Sequence, residues 1–251
     1  MTAEQRELFA ALCEEENAAP STRGSGIGTY GEKRLHRILK RFACDDADAW
    51  EIPVGGYVAD VRTEEDLVEI QTGSFRPLTA KLTYYLTQTD YRVTVICPIL
   101  SQMRILRMDR ETGEILRDRR SPKKGTPMDA LVQMYWLREL FPSERFTVRV
   151  LLIRAEEHRY SERMRYRKAG AYDAELFPLE LLDEVFFHSI EDLTPYLPPE
   201  EVFTAAEYGK VFGLKPRPAN AVLQLLCAVG LLERKAEGRK YLYRRTEKKE
   251  A

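Results

Sequence analysis

Two short stretches decide how this sequence folds: residues 56–62 read GYVADVR, and residues 67–71 read LVEIQ. Both combine β-branched residues with regularly spaced polar ones, which predicts two β-strands. Side chains alternate along a strand, so Glu69 and Gln71 share one face of the second strand. Only a short turn separates the two strands. We therefore expect them to pair as a hairpin, with Asp60 close to Glu69.

The proximity of two carboxylates on one sheet face predicts a metal site. Such groups repel each other unless a cation or a proton lies between them. Mg²⁺ is usually bound through one or two carboxylates together with waters and phosphate oxygens. Asp60 and Glu69 are therefore candidate ligands for Mg²⁺ or Mn²⁺. The alternative is that each acid is a solvated surface residue, which is the commoner situation when either is considered alone.

One charged residue falls on the apolar stripe of each helix that flanks these strands. In the helix predicted at residues 30–42, this residue is Glu32, and in the helix predicted at residues 77–87 it is Lys81. Charged groups on a buried face are rare without a partner. Both side chains are therefore expected to point toward the sheet. Alternatively, Lys81 extends its amine to solvent along the apolar surface.

The predicted elements follow an order that indicates a mixed α/β core at residues 29–155. Residues 1–28 are expected to form a charged helix and a linker, and residues 156–195 a basic linker followed by helices. Within the core, further strands are predicted at residues 49–53, 92–99 and 146–153, a strand pair at 104–108 and 114–119, and a helix at 128–141.

The stretches YVADVR at residues 57–62 and VEIQTG at residues 68–73, preceded by a helix, resemble the core of the PD-(D/E)XK nucleases, whose fold is restriction-endonuclease-like. The Glu-Ile-Gln ending is similar to that of the competence-associated CoiA-type proteins of this superfamily, and the whole chain resembles uncharacterised bacterial proteins with such a core and a C-terminal winged helix. The resemblance implies metal-dependent hydrolysis of phosphodiester bonds, with these candidate catalytic residues: Asp60 and Glu69 as Mg²⁺ ligands, Glu32 as an assisting carboxylate, and Gln71 as the residue that orients the attacking water.

Gln71 departs from the commonest pattern of that superfamily, which has lysine at this position. A neutral amide cannot stabilise developing negative charge as an ammonium group does. Some members recruit a lysine from the following helix, and Lys81 is placed for that role. The resemblance therefore supports the fold more strongly than it supports catalysis.

The pattern changes near residue 196, and residues 196–251 predict a winged helix-turn-helix. Helices are expected at residues 204–212 and 218–232, followed by a two-stranded wing at 232–235 and 240–244. The candidate nucleic-acid contacts are polar or basic residues of the turn, the second helix and the wing: Lys215, Arg217, Asn220, Gln224, Arg239 and Lys240. The second helix is otherwise largely apolar, so little of its face is free to read bases, and the alternative that this unit docks proteins or forms a homodimer stays open beside DNA contact.

Composition indicates a soluble globular protein, since 44% of the 251 residues are hydrophobic and 31% are charged. The formal net charge of −1 provides no global basic signal for nucleic acid, so binding must depend on local patches. The four cysteines are scattered, which indicates a reducing, cytoplasmic setting rather than a disulfide framework. We expect no membrane association, because no apolar run is long enough to span a bilayer.

Three functions remain open from the sequence. The first is a Mg²⁺-dependent nuclease acting on DNA. The second is a non-catalytic protein that binds nucleic acid through the winged helix and keeps the nuclease fold as a scaffold. The third is a protein-interaction adaptor in which the winged helix mediates self-association.

Overall fold

The computed structural model describes residues 1–19, 29–161, 173–238 and 240–246, without the side chains of residues 29–33, 161 and 173. In these ranges a seven-stranded mixed sheet is flanked by helices on both faces, which confirms the predicted α/β class. The helices are α1 (Ala3–Ala18), α2 (Thr29–Ala43), α3 (Thr79–Gln88), α4 (Pro127–Met134), α5 (Ala205–Val211) and α6 (Pro216–Ala228). Short 3-10 turns cover Ala47–Ala49, Arg76–Leu78, Tyr135–Leu137 and Ile190–Tyr196.

The strands of the large sheet are β1 (Trp50–Val54), β2 (Tyr57–Arg62), β3 (Asp66–Ile70), β4 (Arg92–Asp109), β5 (Ile115–Arg120), β6 (Phe146–Ser161) and β7 (Asp173–Phe187). They are arranged in the order β1-β2-β3-β4-β6-β7, and β5 pairs with β4. The β3–β4 and β4–β6 pairs are parallel, and the other pairs are antiparallel. The predicted hairpin is present, because β2 and β3 pair Val61 with Val68 and Arg62 with Leu67.

Two apolar layers cover the sheet. On one face, α1 and α2 contribute residues such as Phe9 and Leu39, which pack against Ile70 of β3 and its neighbours. On the other face, α3 and α4 contribute Leu82 and Leu131. Successive side chains of a strand point to opposite faces of the sheet, so the same strands contribute apolar residues to both layers.

The C-terminal unit continues the second of these layers. Its strands are β8 (Val202–Thr204), β9 (Leu232–Glu237) and β10 (Lys240–Arg245), in the order β8-β10-β9. Thr204 caps α5 and accepts the amide of Glu207, as expected from a Thr-x-x-Glu capping box. Helix α6 packs on α4, so its apolar residues share the core of the large sheet.

The prediction of a linker and helices at residues 156–195 is wrong for the described residues. Strand β6 extends to Ser161, and β7 (Asp173–Phe187) pairs with it along most of its length. The apolar run at residues 176–187 lies in β7, where long-range pairing with β6 satisfies its backbone. The basic segment between these strands, at residues 162–172, lies outside the described residues.

Three predicted boundaries also require correction. The strands expected at residues 92–99 and 104–108 are one strand, β4, which passes through a register shift between Leu100 and Gln102. The helix expected at residues 128–141 ends at Met134 and continues as a 3-10 turn. The second C-terminal helix begins at Pro216 rather than residue 218, since proline is tolerated in the first helical turn.

Candidate functional site

Asp60 lies where β2 and β3 begin to separate. Beyond the paired residues of this hairpin, the Asp60 carboxylate accepts the backbone N–H of Ile70 at 2.7 Å. The same oxygen, Oδ2, lies 3.4 Å from Nε2 of His36 on α2. Burial favours the neutral form of Asp60, but the hydrogen bonds from His36 and Ile70 outweigh it. The pKa of Asp60 is therefore lowered from its ordinary value, and the group is ionised at neutral pH.

Glu69 is the most deeply buried carboxylate of the candidate site, with 2% of its side chain exposed. Its Oε2 lies 2.5 Å from Nζ of Lys81 on α3. Its Oε1 is also buried and has no hydrogen-bond partner among the described residues. Burial is the largest influence on Glu69 and raises its pKa to about 7, against the opposing effect of Lys81. Glu69 is thus poised between its two protonation states near neutrality.

The charges of these residues influence one another across the strand ends. Asp60 contributes to the raised pKa of Glu69, and Lys81 contributes to the lowered pKa of Asp60. Asp60 and Glu69 are therefore brought into one electrostatic neighbourhood, with the Lys81 ammonium beside them. Three groups supplied by β2, β3 and α3 form this site.

The donor set can be compared with the needs of a divalent cation. Within the described ranges, no group of three or more His, Cys, Asp or Glu side chains is arranged as a metal site. Mg²⁺, however, needs one or two protein carboxylates, and waters or phosphates complete its shell. The ionised Asp60 and Oε1 of Glu69, which finds no hydrogen-bond partner in the described part of the chain, are carboxylate oxygens of the type that Mg²⁺ requires.

The other predicted catalytic residues differ in their placement. Gln71 follows β3 directly, and its side-chain amide donates to the carbonyl of Ser74 at 2.7 Å, so the amide is bound to the loop that precedes α3. Glu32 lies in α2, but its side chain is outside the described residues. The structure therefore brings together Asp60, Glu69 and Lys81, and it holds the amide of Gln71 in the adjacent loop.

Two residues of this site were missed in the sequence. They are His36, which lies beside Asp60, and Tyr85, which lies beside Glu69 and Lys81. The Tyr85 ring is fully buried beside Lys81, and Tyr85 and Glu69 shift each other's pKa. The available signal was helical spacing, because His36 follows Glu32 by one turn and Tyr85 follows Lys81 by one turn.

The C-terminal candidates lie on an accessible surface. Arg217, Asn220 and Gln224 are exposed at a spacing that places them on one face of α6. Lys215, just before this helix, and Lys240 on β10 are exposed as well. Arg239 lies outside the described residues. The opposite face of α6 is buried against the core, so the exposed face is the one available to a partner.

No helix within the described ranges combines the length and hydrophobicity needed to cross a bilayer.

Comparison with known proteins shows the family. A family model described as "Domain of unknown function (DUF8091)" matches residues 33–188, and the chain belongs to this family. An uncharacterised protein of Treponema pallidum (strain Nichols) is 28% identical over 162 residues, which are 63% of this chain and 63% of that relative. The chain thus spans less than two thirds of that relative's length. No solved structure matches the chain.

Proposed function

We propose that this DUF8091 member is a metal-dependent nuclease that hydrolyses phosphodiester bonds in DNA. The observation that carries the proposal is the convergence of Asp60, Glu69 and Lys81 from three separate elements onto one largely buried site. Burying a carboxylate as deeply as Glu69 costs free energy, and groups with such perturbed pKa values are concentrated at functional sites.

The order of elements around this site supports the proposal. Helix α2 precedes an antiparallel β1-β2-β3 meander, and α3 then connects β3 to the parallel strand β4. This arrangement resembles the restriction-endonuclease-like core. In that core the acids lie on the second and third strands, as Asp60 and Glu69 do here.

Asp60 and Glu69 would hold a Mg²⁺ or Mn²⁺ ion. Such an ion, when bound, lowers the pKa of a water molecule and offsets charge on the phosphate. Lys81 favours the ionised form of Glu69 and places a positive charge beside the site. The amide of Gln71 is hydrogen-bonded to Ser74, so we assign the orientation of the attacking water to Lys81 rather than to Gln71.

Nicking of supercoiled plasmid DNA tests this function. The wild-type protein should convert the plasmid to open circles with Mg²⁺ or Mn²⁺, and EDTA should stop the reaction. Asp60→Asn and Glu69→Gln should each abolish nicking, whereas Asp48→Asn, which changes an exposed carboxylate outside the site, should not. Equal nicking by all four proteins would reject the site.

A non-catalytic function in nucleic-acid binding is the second candidate, and a specific observation favours it. Helices α5 and α6 with the β9–β10 ribbon follow an order similar to that of a winged helix, and the exposed face of α6 carries Arg217, Asn220 and Gln224. DNA binding that persists in EDTA and in Asp60→Asn, with no nicking under any condition, would favour this function. A concentration-dependent dimer without DNA binding would favour self-association instead.

A further inference from the structure

His36 of α2 lies against the same oxygen of Asp60 that the backbone of β3 already holds. Oδ2 accepts the N–H of Ile70 at 2.7 Å, and Nε2 of His36 lies 3.4 Å from that oxygen. Among the described residues, no donor forms a hydrogen bond with the other oxygen, Oδ1. The protein therefore holds this carboxylate by one of its two oxygens.

Glu69 shows the same division between its two oxygens. Lys81 contacts Oε2 at 2.5 Å, and the buried Oε1 has no hydrogen-bond partner in the described part of the chain. Carboxylates that bind a metal are themselves held by hydrogen bonds, which orient them. His36 thus stands to Asp60 as Lys81 stands to Glu69.

The packing of α2 places His36 beside Asp60. Leu35 and Leu39 of α2 are buried in the same apolar cluster as the side chain of Ile70. Ile70 thus packs under α2 through its side chain and holds Asp60 through its N–H. The His36 side chain is 30% exposed and that of Asp60 20%, so solvent screens their contact less than it would a fully exposed pair.

The chemistry of this contact makes His36 a hydrogen-bond donor. The Asp60 carboxylate is ionised at neutral pH and can only accept hydrogen bonds, so the ring nitrogen that faces Oδ2 carries a proton. A histidine that binds a metal would instead present an unprotonated nitrogen to it. Within the described ranges, moreover, no three His, Cys, Asp or Glu side chains are grouped as a metal site. The geometry therefore favours a role that acts through Asp60.

We infer that His36 is a positioning residue, which holds Oδ2 of Asp60 so that Oδ1 is left to bind a divalent cation. The inference rests on the proposed function in taking such a cation as the ligand of Asp60 and Glu69. Loss of a residue that orients a metal ligand typically lowers metal affinity by about 10–100-fold. A purely structural histidine would have no such effect once the protein is folded.

Mn²⁺ binding in the absence of DNA tests this role. Titrations followed by the electron paramagnetic resonance signal of free Mn²⁺ give the dissociation constant for each protein. His36→Leu removes the donor, whereas His36→Gln restores an N–H near the position of Nε2. His188→Leu is the matched control, because His188 is an exposed histidine whose ring lies 2.9 Å from the Thr147 hydroxyl, outside the site. Asp60→Asn tests the site itself.

We expect the dissociation constant to rise by about 10-fold or more in His36→Leu and to stay near the wild-type value in His36→Gln and His188→Leu. Wild-type affinity in His36→Leu would overturn the inference, as would equally weak binding by both His36 variants. Coupling of a ring nitrogen to bound Mn²⁺ in the spin-echo spectrum would also overturn it, because His36 would then be a ligand.

Nicking assays separate this inference from the proposed function. Mn²⁺ binding that depends on His36, without nicking under any condition, would retain the positioning role and reject the nuclease. Binding that is lost in Asp60→Asn but unchanged in His36→Leu, with nicking intact, would do the reverse. Unchanged Mn²⁺ affinity in Asp60→Asn would overturn both.

Discussion

Lys81 Nζ lies 2.5 Å from Glu69 Oε2, and this contact joins α3 to β3 beneath the surface of the protein. Only 17% of the Lys81 side chain and 2% of the Glu69 side chain are exposed. A buried ion pair adds little net stability to a fold. Removing one partner is nevertheless strongly destabilising, because it leaves the other charge buried and unpaired. This dependence leads to the first two predictions.

Removing the lysine alone should be more damaging than removing both charges. We expect Lys81→Met to lower the free energy of unfolding by roughly 3 kcal/mol, because it leaves Glu69 buried without its partner. Lys81→Met/Glu69→Leu should recover most of that loss. Urea denaturation at pH 8 of the wild type, both single variants and the double variant gives the coupling energy. A double variant less stable than either single variant would contradict the expectation.

The protonation of Glu69 should make stability depend on pH. Its pKa is about 7 in the folded protein, against an ordinary value of 4.5, so the folded state binds the proton more tightly. This contribution to stability is complete below about pH 4.5 and is lost as the pH rises through 7. We therefore expect the free energy of unfolding of Glu69→Gln, which cannot ionise at this position, to gain up to about 3 kcal/mol on that of the wild type as the pH rises from 5 to 8.

Urea denaturation at both pH values measures this gain. Glu114→Gln, which changes an exposed carboxylate of the β4–β5 turn, is the control and should follow the wild type. Parallel pH profiles for Glu69→Gln and the wild type would show that the folded-state pKa of Glu69 is ordinary.

Gly125 should tolerate no side chain. A Cβ atom at this position would lie 2.7 Å from the carbonyl oxygen of Leu100 and 2.5 Å from Cγ2 of Ile99. The backbone of β4 would have to move, and overpacking of this kind costs about 1–3 kcal/mol. Gly56→Ala is a matched control, since a Cβ atom there meets nothing within 4 Å. Thermal unfolding should show a lower Tm for Gly125→Ala alone, and equal Tm values would contradict the prediction.

Arg145 should be important for the end of α3. Its guanidinium donates to the carbonyls of Leu86, Thr89 and Tyr91 at 2.5, 2.7 and 3.0 Å. Hydrogen bonds to charged groups contribute about 1.5–3 kcal/mol, so Arg145→Met should lower the free energy of unfolding by at least about 2 kcal/mol.

Arg62→Met serves as the control for Arg145→Met because Arg62 is exposed on β2. Amide hydrogen exchange in α3 should accelerate in the Arg145 variant only. Unchanged exchange in both variants would show that these carbonyls are satisfied by water instead.

Local patterns in the sequence predicted much of the fold. The β2–β3 hairpin followed from two short stretches joined by a turn, and α5 lies within the helix predicted at residues 204–212. The prediction for residues 156–195 was wrong because the conformation of β7 depends on pairing with β6 rather than on its own periodicity.

Some residues of the candidate site could likewise be predicted from local spacing, and others depend on packing. Lys81 could be predicted, since a charge on an apolar helical face needs a partner. For His36 the helical spacing from Glu32 gives only its face of α2, and its contact with Asp60 depends on how α2 packs across the sheet.

The sequence by itself determined the α/β class, the hairpin that carries Asp60 and Glu69, and the apolar faces of the helices, because each depends on spacings of a few residues. Only the tertiary structure decided that Glu69 is buried against Lys81, that Asp60 accepts a hydrogen bond from the amide of Ile70, and that His36 lies beside Asp60. Burial, pKa and charge density depend on atoms brought together by packing, and no local pattern contains those distances.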